Sequence, residues 1–210
     1  CELVGGDTTR GPLNICITVF GELPAGAALL RSAARVGDEL WVSGTLGDAR
    51  LALEVFRGTL ALPGALFEAA RARMEQPTPR VALGQALRGI ATAAIDISDG
   101  LAGDLGHVLK ASGVGARLDA DAALQLLAMD TAAAGLGIEA RRACVLAGGD
   151  DYELAFTAPA SARNAVEQAA RASATRVTRI GCIEAETGLR IVDAKGLPLT
   201  QSFDSFDHFA

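Results

Sequence analysis

The sequence predicts an α+β fold in which helices are layered on a mixed or antiparallel sheet, and three observations lead there. Short runs rich in β-branched residues are interspersed with longer stretches of helical periodicity. Half of the 210 residues are hydrophobic, enough to bury a sizeable core. Aromatic residues make up only 4 % while alanine is abundant, which suits helices packed closely on a sheet.

Composition also excludes several function classes. A net charge of −6 leaves no electrostatic footprint for nucleic acid or an anionic membrane, and the scarcity of aromatics argues against base stacking. Cys1, Cys16, Cys144 and Cys182 are scattered without a Cys-x-x-Cys pair, so reduced thiols and a cytoplasmic setting are expected rather than zinc or disulfides. His107 and His208 read as ordinary surface or helix-end residues. No apolar run approaches the roughly 20 residues of a membrane span, and no signal-peptide pattern opens the chain.

Taken in order, Gly5-Gly6-Asp7-Thr8-Thr9 is a turn-rich stretch where paired glycines could let backbone approach a phosphate, or where Asp7 simply forms an Asx turn. Residues 13–20 alternate Ile15, Ile17 and Val19 with Cys16, Thr18 and Phe20 and are expected to form a strand. Residues 21–26, with Pro24, read as a connection and place a domain boundary there, dividing 1–26 from 27–210. A short strand at Leu40-Trp41-Val42-Ser43 leads through Gly44-Thr45-Leu46-Gly47 into a helix expected to be capped by Asp48, with Ala49, Ala52, Leu53 and Phe56 on its buried face. That glycine loop matches neither a Walker nor a dinucleotide fingerprint and is assigned to strand-to-helix packing.

Helices are expected at 65–74, closed by Pro77 and Pro79, and at 81–90, with a mainly structural role for Arg80. After the helix that starts near Leu101, a strand is expected near Arg117-Leu118-Asp119, then an alanine-rich helical region to about Ala134 and a short helix at 139–146. Strands follow at 152–157, 176–183 and 189–192, with a helix capped by Ser161 among them and a turn at Lys195-Gly196. Phe203, Phe206 and Phe209 suggest that the tail docks.

The chemistry concentrates in Ala94-Ile95-Asp96-Ile97-Ser98-Asp99-Gly100-Leu101, where a buried strand runs into a helix. In an extended segment Asp96 and Ser98 share one side, and Asp99 falls where an N-cap belongs. Open N–H groups at a helix start attract anions, and two carboxylates beside them could hold a divalent cation that bridges to phosphate. A plain N-cap and a hydrogen-bonded strand end account for the same pair. Asp104, about a turn further on, is expected to be structural. Downstream, Gly148-Gly149-Asp150-Asp151-Tyr152-Glu153-Leu154 sets two adjacent acids beside two glycines; such acids are costly to bury without partners and are expected to be either solvated or functional.

These two motifs, with Gly5-Gly6-Asp7-Thr8-Thr9 upstream and further agreements at Ser43-Gly44-Thr45-Leu46-Gly47-Asp48 and Pro77-Thr78-Pro79-Arg80, resemble the thiamine-monophosphate kinases over essentially the whole chain. The resemblance implies the fold of the aminoimidazole ribonucleotide synthetase superfamily, with 1–26 as the end of an N-terminal ATP- and metal-binding domain and 27–210 as a C-terminal α+β domain. It implies that a segment carrying more acidic ligands and most of a dimer-forming sheet precedes Cys1. It further implies Mg2+ held by Asp7, Asp96 and Asp99, and ATP contacted by Gly6, Asp7, Arg31 and Ser98. Thiamine monophosphate would be contacted by Asp150, where the family usually has glutamate, and by Phe206. The activity implied is ATP-dependent phosphorylation of thiamine monophosphate to thiamine diphosphate by a homodimer, with no nucleic-acid or membrane partner. Another ATP-dependent synthetase of the superfamily, or a non-catalytic remnant that binds thiamine phosphate, are the competing expectations.

Overall fold

Alternation in β1 (Asp38–Ser43) sets up two packed layers, because Leu40 and Val42 face one side of the sheet and Trp41 the other, and all are buried. A computed structural model describes residues 2–128 and 135–203 of the chain. After β1 come α1 (Asp48–Phe56), α2 (Gly64–Glu75), α3 (Val81–Ala86), β2 (Ala93–Ile97) and α4 (Leu101–Ser112). The second half holds β3 (Gly115–Asp119), α5 (Ala120–Ala123), α6 (Ile138–Ala147), β4 (Glu153–Pro159), α7 (Arg163–Ala172), β5 (Val177–Glu184) and β6 (Gly188–Val192).

The strands form one six-stranded sheet in the order β2-β4-β1-β5-β3-β6, antiparallel except for the β3–β6 pair. The expected α+β architecture with a mixed sheet is therefore what the chain adopts. One face carries the larger core, where Ile95, Ile97, Ala155 and Ile180 meet Leu101, Leu105 and Val108 of α4 and Val145 and Leu146 of α6. On the other face Trp41 and Phe156 pack against Leu83 and Leu87 in and after α3 and against Val166 and Ala169 of α7. A third cluster joins Leu51 and Ala52 of α1 to Ala70 of α2 and Cys144 of α6.

Several expectations need correction. Residues 13–20 form no strand: Ile17 is 81 % and Phe20 85 % exposed, and no described segment pairs with them. Strand propensity measures fit to a partnered, half-buried surface, and here the ladder partner is missing. As far as Ala128 the alanine-rich region forms α5, capped by Asp119 through the N–H groups of Asp121 and Ala122, and a 3-10 turn at Leu124–Leu126, while the rest of the expected helix to Ala134 lies outside the described residues. The helix from Val81 ends at Ala86, and its last predicted turn is looser. On α1 the buried face carries Leu51, while Phe56 lies edge-on to Phe67 at 5.4 Å and stays half exposed. Ser161 sits in a 3-10 turn before α7 and caps nothing with its side chain. Phe206, His208 and Phe209 lie outside the described residues.

Candidate active site

The two acidic motifs meet because β2 and β4 are antiparallel neighbours, with Asp96 opposite Leu154 and Ile97 opposite Glu153. Beyond the strand ends the chain segments stay together: the Asp150 N–H donates to the Ser98 carbonyl at 2.9 Å, and the Tyr152 N–H to the Ile97 carbonyl at 2.9 Å. Such closeness requires glycine, since a Cβ on Gly149 would stand 2.6 Å from the Ser98 carbonyl oxygen. Asp150 and Tyr152 take φ of 65° and 51°, a left-handed backbone that is uncommon for side-chain-bearing residues and clusters at functional turns.

The start of α4 differs from expectation. Gly100, not Asp99, is the N-cap residue, and Asp104 folds back so that its Oδ2 accepts from the N–H groups of Ser98, Asp99 and Gly100 at 3.0, 3.1 and 3.2 Å. Burial pushes the Asp104 carboxyl above its ordinary value, against the pull of those N–H groups. The three N–H groups just ahead of the helix are thus engaged internally. The structural role expected of Asp104 holds.

Asp96 lies on the exposed side of β2, and Arg31 Nη2 stands 3.8 Å from its Oδ1, both side chains being more than half exposed. Leu30 forms a parallel bridge to Ala93, which is how the Arg31 segment reaches β2. Around Tyr152 the acids converge: burial raises its hydroxyl pKa first, and Asp150, Asp99 and Asp96 raise it further. Asp150 and Asp99, with Ser98 and Gly149, form one wall of a cleft of about 120 Å3 whose other wall is Arg50, Leu53 and Arg57 of α1.

Gly6 and Asp7 are not brought to this cluster. They lie in an exposed stretch without a turn, where the Asp7 carboxylate accepts only from the adjacent Thr8 N–H at 2.8 Å, so the Asx turn expected there does not form. Among the described residues no three His, Cys, Asp or Glu side chains form a metal-binding group. Asp96 and Asp99 still fit magnesium, which takes one or two carboxylates and fills its remaining positions with water and phosphate oxygens.

Behind the exposed cluster lies a buried one that sequence reading missed. Glu153 is fully buried and accepts from Ser43 Oγ at 2.6 Å, Arg73 Nη2 at 2.9 Å and Arg80 Nε at 2.6 Å. Arg80 therefore has the structural role expected of it. Gly44 leaves room for that carboxylate, since a Cβ there would stand 2.0 Å from Glu153 Oε1. Asp151, also buried, accepts from the Gly47 N–H at 2.8 Å and, more weakly, from the Ala49 N–H at 3.5 Å. It therefore caps α1 from about a hundred residues away, the role expected of Asp48, whose own carboxylate accepts from Thr45 Oγ1 at 2.8 Å. Burial pushes the Asp151 carboxyl up to about 8. Burial likewise pushes the Cys144 thiol up to about 11, leaving it protonated and a poor nucleophile.

Arg50 and Arg57 were also missed, although their spacing with Glu54 at i, i+4 and i+7 marks a charged stripe along α1.

The segment that builds this six-stranded sheet, residues 35–194, matches the model of the AIR synthase related protein, C-terminal domain. The chain belongs to that family. It is similar to the thiamine-monophosphate kinase of Salmonella typhimurium, with 44 % identity over 100 % of this chain and 64 % of that protein. Similarity to the thiamine-monophosphate kinase of Escherichia coli K12 is 41 % over the same shares. The chain thus spans about 64 % of the length of these relatives. Among solved structures, the thiamine-monophosphate kinase of Stenotrophomonas maltophilia K279a superposes with a TM-score of 0.74 at 43 % identity, covering 84 % of this chain and 56 % of that one. AaThiL complexed with AMPPCP and TMP superposes with a TM-score of 0.67 at 29 % identity, covering 86 % and 54 %.

Proposed function

We propose that this chain is the larger part of a thiamine-monophosphate kinase, transferring a phosphoryl group from ATP to thiamine monophosphate to give thiamine diphosphate and ADP. The observation that carries this reading is the similarity at 44 % identity along the entire chain to a protein of that name. The meeting of Asp96, Ser98 and Asp99 with Asp150 supplies the local chemistry.

The acceptor is a phosphate oxygen, already largely ionised near neutral pH because a phosphomonoester has a second pKa of about 6. No strong general base is needed, which agrees with a cluster of carboxylates that contains no histidine. The difficulty is bringing two anions together. Mg2+, when bound, screens that repulsion and stabilises the leaving oxygen. Asp96 and Asp99 are the carboxylates placed to hold it, with Asp7 as a third ligand once its segment is docked. Ser98 and Arg31 contact the nucleotide, with Gly6 beside Asp7, and Asp150 faces the acceptor. Residues 1–26 belong to the end of an N-terminal ATP- and metal-binding domain and 27–210 to the C-terminal domain. Phe206 packs against the thiamine rings, and the working enzyme is a cytoplasmic homodimer. No helix among the described residues is long and apolar enough to cross a membrane.

The test is phosphoryl transfer from ATP to thiamine monophosphate with magnesium, using this chain beside a version extended by its upstream coding sequence. Transfer by the extended version supports the reading. Failure of both folded proteins, with turnover on a different phosphate or carbonyl acceptor, would replace it with another synthetase of the superfamily.

A further inference from the structure

The two walls of the α1 cleft carry opposite charge. On α1, Glu54 accepts from Arg50 Nε at 2.7 Å and from Arg57 Nη1 at 3.4 Å, and also from the Thr59 hydroxyl. The Thr59 hydroxyl and the neighbouring guanidinium of Arg50 hold the Glu54 carboxyl below its ordinary value, so it stays ionised and anchors both arginines. Two guanidinium charges less one carboxylate leave this wall with one net positive charge. The described hydrogen bonds of Arg50 use only Nε, leaving its two terminal nitrogens, the planar fork that suits phosphate oxygens, for a ligand. The Arg50 backbone also runs close beside Gly148, since its Cβ lies 3.0 Å from where a Cβ on Gly148 would stand. The facing wall presents Asp99 and Asp150.

Size narrows the occupant. The cleft, at about 120 Å3, is well below the roughly 300–1,000 Å3 of a pocket that encloses a whole small molecule, and suits one charged end of a ligand. A split of positive and negative walls fits a zwitterion whose phosphate lies a short linker away from a ring cation, as in thiamine monophosphate. Of the residues assigned above, Ser98, Asp99 and Asp150 line the cleft while Arg31 and Asp96 do not, so the cleft opens where the nucleotide and metal positions meet the acceptor side.

The geometry points to Arg50, supported by Arg57, as the residue that binds the phosphate group of the acceptor. This rests on the kinase reading. It adds a specificity element on α1, a helix whose phosphate-facing role no sequence motif marks.

The test is calorimetric titration of wild type, Arg50→Gln and Arg50→Lys with thiamine monophosphate, thiamine and ATP in turn, magnesium present, in this chain and in the extended version. Losing charge-assisted hydrogen bonds of about 1.5–3 kcal/mol weakens thiamine monophosphate binding about tenfold or more in Arg50→Gln. Thiamine and ATP affinities stay at wild-type values, and Arg50→Lys, which keeps charge but loses the fork, falls between. Unchanged thiamine monophosphate affinity overturns the assignment. So does an equal loss for ATP, which puts the arginine on the donor, or for thiamine, which reveals a general collapse of the cleft. Should Arg50→Gln unfold, Arg57→Gln gives the same selective pattern at smaller amplitude. A wild type that binds thiamine monophosphate through Arg50 yet transfers no phosphate sinks the kinase reading alone, whereas one that binds none overturns both.

Discussion

Asp150 and Asp151 are neighbours in sequence and opposites in role. Asp150 is exposed at the cleft; Asp151 is 1 % exposed, and with Glu153 it faces inward, where N–H groups, a hydroxyl and two arginines meet them. The inner acids are satisfied by internal donors and fix the positions of α1, α2 and the Gly44–Gly47 loop. The outer acids, Asp96, Asp99 and Asp150, lie close enough to raise the same Tyr152 hydroxyl, and they add their charges at one place on the surface. Inner acids should therefore govern stability and outer acids turnover.

The largest expected effect tests the outer set. Asp96→Asn should abolish transfer in the extended version while moving the unfolding free energy by no more than about 0.5 kcal/mol, because the side chain is mostly exposed. Retained turnover removes Asp96 from the site. Glu153→Ala should do the reverse, costing about 3–5 kcal/mol in urea denaturation by leaving Arg73 and Arg80 without their buried partner. A loss below about 1 kcal/mol would mean that water replaces it.

At the seam between the two sets, Gly149→Ala forces a methyl against the Ser98 carbonyl and should cost about 1–3 kcal/mol, together with weaker acceptor binding. The last test is a pH slope. Because burial raises Asp151 to about 8 from an unfolded value near 3.8, the folded state holds its proton more tightly. Its contribution is complete below about pH 4 and is lost as pH rises towards 8. Denaturation midpoints measured from pH 5 to 9 should fall, and Asp151→Asn should flatten the fall. Asp48, raised in the same direction, retains a residual slope.

The fold was legible where local patterns were strong. All six sheet strands and the helices at α2, α4, α6 and α7 follow from periodicity, because each buries a face of its own. Pairing at a distance was not legible. Nothing near Glu153 in sequence announces Ser43, Arg73 or Arg80, and nothing near Gly47 announces a cap from Asp151. Polarity alone would turn Asp151 and Glu153 outward, and only the hidden arginines and amides reverse it. At residues 13–20 the failure ran the other way, since a strong strand pattern met no partner. Of the site, the chemistry of the two motifs could be read from residue types, whereas the arginine wall required knowing which helix lies across the cleft.

The strand order has one more consequence, for how the protein is made. In β2-β4-β1-β5-β3-β6 no strand lies beside its predecessor in sequence, so no hairpin can form as the chain emerges. β1 must wait for β4, about 110 residues later, which at ribosomal speeds of about 5–20 residues per second is on the order of ten seconds. During that interval Leu40, Trp41 and Val42, later fully enclosed, are open to any apolar surface nearby. Growth at lower temperature, or a chaperone that shields the first hundred residues, should therefore raise the soluble yield of this chain more than any single stabilising substitution in its finished core.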